Sequence, residues 1–198
     1  MSVSRRERRP VGAREWAHLQ RGLAAATRRL RRGASQQKAA QAAGISIGVV
    51  KNVEGKNSAP TLKSLHALAH SFGLRTSELV EQAEEFDRAQ PLSGRDTMFD
   101  VVTAPDSAPN LAAFGRAVRY QRGLLKLSQA ALGERSGLHR NYIGVIERGQ
   151  VYAGFRVLVS LSRGLELLPS ELLRLSEDEH VADVELRRAT AARARRAR

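Results

Sequence analysis

No cysteine occurs among the 198 residues. Disulfides and thiolate metal sites are thereby excluded, and the composition suits a reducing compartment, so a cytoplasmic protein is expected. No apolar run approaches the length of a membrane-crossing helix, and no signal peptide is visible. No glycine-rich phosphate loop follows a strand, and no cluster of His and carboxylates suggests acid–base chemistry. An enzyme therefore finds little support. His66 and His70 stand four apart, the spacing of two ligands on one helical face, but no third ligand accompanies them. Neither a metal nor a cofactor is expected. Trp16 is the only tryptophan, and it reads as a packing residue. Positive charge, by contrast, is plentiful. With 33 Lys and Arg against 20 Asp and Glu, the net charge is +13. Such a chain favours a polyanionic partner, nucleic acid before an anionic membrane.

The most informative stretch runs from Ser128 to Gly149. At helical spacing it reads as a short helix, a turn at Gly137 and a second short helix. Ser128 fits an N-cap, accepting from a free N–H of the first turn. Leu132 points inward, and Gly133 lets the second helix cross closely. Ile143 and Ile146, three apart, share the face that returns to the core. Gly149 suits a left-handed cap at the end.

Sliding the sequence by 93 residues brings Ser35-Gln36 onto Ser128-Gln129 and Gly44 onto Gly137. Val50, Val53 and Glu54 then meet Ile143, Ile146 and Glu147, and Ser77-Glu78-Leu79 meets Ser170-Glu171-Leu172. The pattern is that of two copies of one small helical unit. The earlier copy has the thinner core, with Ala39 and Ala34 where the later one has Leu132 and Leu127.

Both copies resemble the DNA-binding domain of the Cro and phage-repressor family, the XRE-type helix-turn-helix. Ser128, Gln129, Leu132, Gly137, Ile143, Ile146, Glu147, Gly149, Leu158, Leu161, Glu171 and Leu172 carry the resemblance in the second copy. Ser35, Gln36, Ala40, Gly44, Val50, Val53, Glu54, Pro60, Leu65, Leu68, Ala69, Glu78 and Leu79 carry it in the first. It implies an all-α protein of two tandem five-helix, lambda-repressor-like domains joined by a linker. The expected division is a basic arm at 1–10, a first domain at 11–88, a linker at 89–109, a second domain at 110–178 and an Arg-rich tail at 179–198.

The resemblance also implies site residues, because the second helix of such a motif enters the major groove. The base-reading positions expected are Arg140, Asn141, Gly144 and Val145 in the second copy, and Ile47, Gly48, Lys51 and Asn52 in the first. Arg pairs bidentately with guanine and Asn with adenine, whereas Ile47 can only touch a thymine methyl. The first copy is thus expected to read less. Phosphate contacts are expected from Gln36, Ser46, Lys56, Asn57 and Lys63, from Gln129, His139, Arg148, Gln150 and Arg156, and from Arg187 and Arg188 in the tail. Ser46 is expected to cap its recognition helix. The family pairs an Arg of the first helix with the Glu ending the recognition helix, which gives Arg29 with Glu54 and Arg122 with Glu147. Its C-terminal domain helices serve dimer contacts, so a homodimer through them is the oligomer implied.

The function implied is a sequence-specific, double-stranded-DNA-binding transcriptional regulator, most simply a repressor. Two alternatives stay open at this point. One is a protein-interaction adaptor, such as an antitoxin or assembly factor. The other is a non-specific nucleoid or partition protein whose Arg tail dominates.

Overall fold

The computed structural model describes residues 13–56, 59–86 and 110–178. The N-terminal arm, the linker, the C-terminal tail, Asn57, Arg187 and Arg188 lie outside the described residues. Within them the chain is all-helical. The first half holds α1 (Ala13–Leu30), α2 (Gln36–Ala42), α3 (Ile47–Gly55), α4 (Leu62–Ser71) and α5 (Thr76–Glu84). The second holds α6 (Leu111–Leu124), α7 (Gln129–Ser136), α8 (Arg140–Glu147), α9 (Phe155–Gly164) and α10 (169–178). Among the described residues, no helix is long and apolar enough to cross a membrane.

Local chemistry sets the helix ends. Ser35 Oγ accepts from Lys38 N–H at 3.2 Å, and Ser128 Oγ from Ala131 N–H at 3.1 Å, each satisfying a free donor of the first turn. Asn110 does the same for α6, accepting from Ala112 and Ala113. Gly137, at φ +69°, makes the corner between α7 and α8 in a region that costs other residues a steric clash. Gly133 has a different task. A Cβ there would lie 2.6 Å from the Leu138 carbonyl oxygen, so the corner closes tightly only over glycine.

Each half buries one face of every helix. Leu132, Ile143, Ile146, Leu158, Leu161 and Leu172 are fully enclosed in the second half, and Val50, Leu65, Leu68 and Leu79 in the first. In the first half Ala39 fills the place of Leu132. Each CH₂ removed from a core forfeits about 0.8 kcal/mol of burial, so that one site holds roughly 2 kcal/mol less.

The halves are not separate beads, and their buried side chains form one cluster. Thr61 and Gly154 form an isolated antiparallel bridge. Beside it Leu62 N–H donates to Ala153 O at 3.2 Å, and Phe155 N–H to Pro60 O at 2.9 Å. Trp16 of α1 packs on Phe155 of α9, ring centroids 5.6 Å apart. The α5 and α10 ends meet through Ser77 with Glu177 and Ser170 with Glu84. Glu84 of α5 thus turns toward the other half.

Candidate nucleic-acid interface

Each half carries two short helices joined by a tight turn, α2–α3 and α7–α8, and α3 and α8 each end at a glutamate whose side chain is nearly enclosed. Glu147 is held by a fork: Arg122 Nε donates to Oε1 at 2.5 Å and Nη2 to Oε2 at 3.0 Å. Arg122 Nη1 also donates to Leu127 O at 2.7 Å, and Gln129 Nε2 donates to Glu147 Oε2 at 2.9 Å. Arg122, Leu127 and Gln129, from α6, the turn after it and α7, are thereby tied together at the end of α8. The hydrogen bonds that Arg122 donates to Glu147 hold its guanidinium above its ordinary pKa, so the guanidinium stays charged.

In the first half the partner is not Arg29. Arg29 Nη2 reaches Gln82 of α5 at 2.8 Å. Glu54 accepts instead from Arg31 Nε at 2.9 Å, with Arg28 Nε at 3.7 Å and Gln36 Nε2 at 2.7 Å. Arg28 also caps the helix by donating to Glu54 O. Arg31 further donates to Ala34 O, the counterpart of Leu127 O. Arg31 therefore makes both contacts of Arg122, and the reason is one of length. The 93-residue register holds from Ser35 onward but fails through α1, where 91 aligns the helices. The first half is two residues shorter between its helix-one Arg and Ser35. Ala34 N–H closes a tight turn onto Arg31 O, whereas Leu127 N–H reaches five residues back to Arg122 O. In this register buried Thr27 stands where Val118 stands, and among the described residues its Oγ1 has no hydrogen-bond partner.

Among the base-reading positions, Arg140, Asn141, Ile47, Gly48, Lys51 and Asn52 are exposed, and Val145 is half-buried. Gly144 is buried beneath the side chains of Gln129 and Arg148, so it offers no free face to a base. His139 opens α8, its Nδ1 accepting from Asn141 N–H at 3.2 Å, which sets the start of the helix that bears Arg140 and Asn141. Ser46 occupies the corresponding N-cap of α3, but its side chain makes no cap hydrogen bond.

The expected phosphate contacts fall into two groups. Lys56 and Lys63 are exposed with their charges outward. Others are already engaged: Gln36 and Gln129 on the glutamates, Arg148 Nε with Gln150 Oε1 at 3.1 Å, and Arg156 over the Trp16 ring at 5.7 Å. The Gln pair orients the helix-turn-helix while leaving its own amide at the surface. The sequence did not reveal the role of Arg31, because sequence register alone pointed to Arg29. Nor did it reveal Ser77, Glu84, Ser170 and Glu177, whose partners lie across the two halves.

Among the described residues no group of His and carboxylates could hold a metal ion. His66 Nδ1 lies 3.1 Å from Thr76 Oγ1, and burial, then the nearby His70, lowers its pKa from 6.5.

Known proteins bear on the second half. Residues 118–172 match the protein family described as Helix-turn-helix, HTH_3. The control protein C.SmaI of Serratia marcescens is 41% identical over 56 residues, which is 28% of this chain and 67% of that protein. The crystal structure of the restriction-modification controller protein C.AhdI from Aeromonas hydrophila has 39% sequence identity, a TM-score of 0.31, and coverage of 31% of this chain and 94% of its own. With that identity spread over two thirds of a control protein, the chain belongs to the helix-turn-helix family of DNA-binding transcriptional regulators.

Proposed function

We propose that the protein regulates transcription by occupying specific duplex DNA through two tandem helix-turn-helix domains, the second of which is the principal reader. The observation that carries this reading is the α7–α8 unit. Its Arg140 and Asn141 are exposed at the start of a helix fixed from below by the Arg122–Glu147–Gln129 network. A rigid scaffold under two bidentate-capable side chains is what direct readout of guanine and adenine requires. Lys51 and Asn52 on α3 supply a poorer reading surface beside Ile47 and Gly48. Lys56 and Lys63 add charge for the backbone, and the excess of basic residues draws the chain to DNA of any sequence. Occupancy of a promoter suffices for repression. The similarity to a control protein supports a regulatory role.

Competition against a labelled genomic fragment tests the reading. A specific duplex should displace the protein at least about a thousandfold better than random duplex at equal salt. Equal displacement by the two would leave a non-specific nucleoid protein in its place.

A further inference from the structure

The contacts between the halves are reciprocal. At the spacing of 93, Ser77 corresponds to Ser170 and Glu84 to Glu177. Ser170 N–H and Oγ donate to Glu84 at 2.9 and 2.5 Å, and Ser77 N–H and Oγ donate to Glu177 at 3.2 and 2.5 Å. Likewise Leu62 N–H donates to Ala153 O and Phe155 N–H to Pro60 O, and each of these bonds is the 93-residue image of the other. When residue i meets j and the image of j meets the image of i, the operation joining the copies is a two-fold rotation.

Residues that pair with their own images lie on that axis. Among the described residues Thr61 with Gly154 and Glu81 with Arg174 are such pairs. The second pair is an ion pair at 2.9 Å. Were two first halves to pair in this way, Glu81 would meet Glu81; with two second halves, Arg174 would meet Arg174. Like charges on the axis disfavour both, and the pairing of unlike halves removes the clash. The asymmetry extends to Arg75, which pairs with Asp178 at 3.0 Å and whose image is Leu168. It extends also to Thr76, which donates to Glu177 where its image, Pro169, has no N–H to give.

We propose that the single chain is a two-fold pseudo-dimer, and that its target is a duplex site with two unlike half-sites at fixed spacing, bound by one chain. The statement about the target rests on the DNA-binding reading above; the statement about the chain does not. A two-fold pair of recognition helices matches the dyad of a duplex, and half-site spacing follows protein geometry. Here the two helices present different side chains, so the two halves of the site differ. The surface through which a homodimer was expected is consumed inside the chain.

Two measurements test the two parts separately. For the chain, sedimentation equilibrium of the full-length protein should give a single-chain mass at tens of micromolar, and a two-chain mass would overturn the proposal. Hydrogen exchange at Leu62 and Phe155 then reports docking. Arg174→Glu should speed both amides about fivefold, and E81R/R174E, which restores unlike charges, should return them to within about twofold of wild type. Exchange unchanged by Arg174→Glu, or unrescued by the swap, would count against it. For the target, selection from random duplexes with native mass spectrometry should yield a bipartite, non-palindromic motif of fixed spacing and one chain per duplex. A palindrome carrying two chains would overturn the proposal, whereas no enrichment at all would overturn the DNA-binding reading and leave the docking result standing.

Discussion

Leu132 against Ala39, Gly133 against Ala40, Gly149 against Lys56: at equivalent corners the second half has the residue that its geometry asks for, and the first half has a substitute. Leu132 fills its core, Gly133 lets the corner close, and Gly149 takes a left-handed turn at φ +66° that Lys56 must take at φ +61°. The first half compensates in two ways. Within it α1 runs against α5, where Gly22 leaves room for Ala83 O, and Trp16 reaches across to Phe155 of the other half. The comparison teaches that one half packs mainly on its own residues while the other is completed by its neighbour. Each prediction below presses on that contrast.

The largest effect should come from the buried glutamates. Glu147→Ala strips Arg122, only 17% exposed, of both its carboxylate bonds. A loss of about 3 kcal/mol is expected in chemical denaturation. Glu54→Ala should cost somewhat less, since the cations it strands, Arg31 at 22% exposed and Arg28 at 55%, rehydrate more readily than Arg122. In the first half Arg31→Ala should exceed Arg29→Ala, whose side chain only reaches Gln82 at the surface. Equal losses for these two arginines would return the pairing to Arg29.

Base reading should divide the halves next. Arg140→Ala is expected to cost about 1–3 kcal/mol on the best duplex and to relax one base position. Ile47→Ala should cost less, and only where a thymine methyl lies opposite. Binding titrations on the same duplex compare them directly. A larger loss from Ile47→Ala would make the first half the reader.

The left-handed corner offers a matched pair of substitutions. At Gly149 a Cβ would stand 2.8 Å from Ala112 Cα, backbone that cannot swing away, and φ is positive as well. Gly149→Ala should cost about 2 kcal/mol. Lys56→Gly should instead gain about 0.5 kcal/mol, the relief of a left-handed lysine less the added freedom of the unfolded chain. Thermal unfolding of the two variants measures both signs. A loss from Lys56→Gly would mean that the lysine side chain holds the corner.

Much of this was legible in the sequence, because the helix-turn-helix is specified locally. Ser35, Ser128, Gly137 and the Ile143–Ile146 pair each act within a turn or two of chain, where spacing alone fixes the partner. What stayed hidden depends on length or on distance. Two missing residues before Ser35 move the glutamate's partner from Arg29 to Arg31, and no periodicity within α1 records that. Burial of Gly144 comes from the Gln129 and Arg148 side chains folding over it. Docking of the halves rests on Glu84 and Glu177, carboxylates that nothing in their own stretches of sequence sets apart. Their serine partners lie 86 and 100 residues away, beyond anything a repeat pattern encodes.

The smallest effect separates the halves by pH. Where the first half has His66 against Thr76, the second has Val159 and Pro169, which do not titrate. Burial first, then the charge of His70, lowers the pKa of His66 below 6.5, so the folded state favours its neutral ring. Above 6.5 the ring is mainly neutral folded or unfolded, and its contribution to stability is fully present. As pH falls through 6.5 the unfolded chain takes up the proton first, and that contribution is lost. His66→Val places the second half's residue in the first half. Its stability should fall less steeply than wild type between about pH 7.5 and pH 5.5, whatever constant offset the loss of the Thr76 contact adds. Denaturant midpoints across that range give the two slopes. Parallel slopes would show that His66 titrates alike in the folded and unfolded chain, and that acid does not distinguish the two halves at this position.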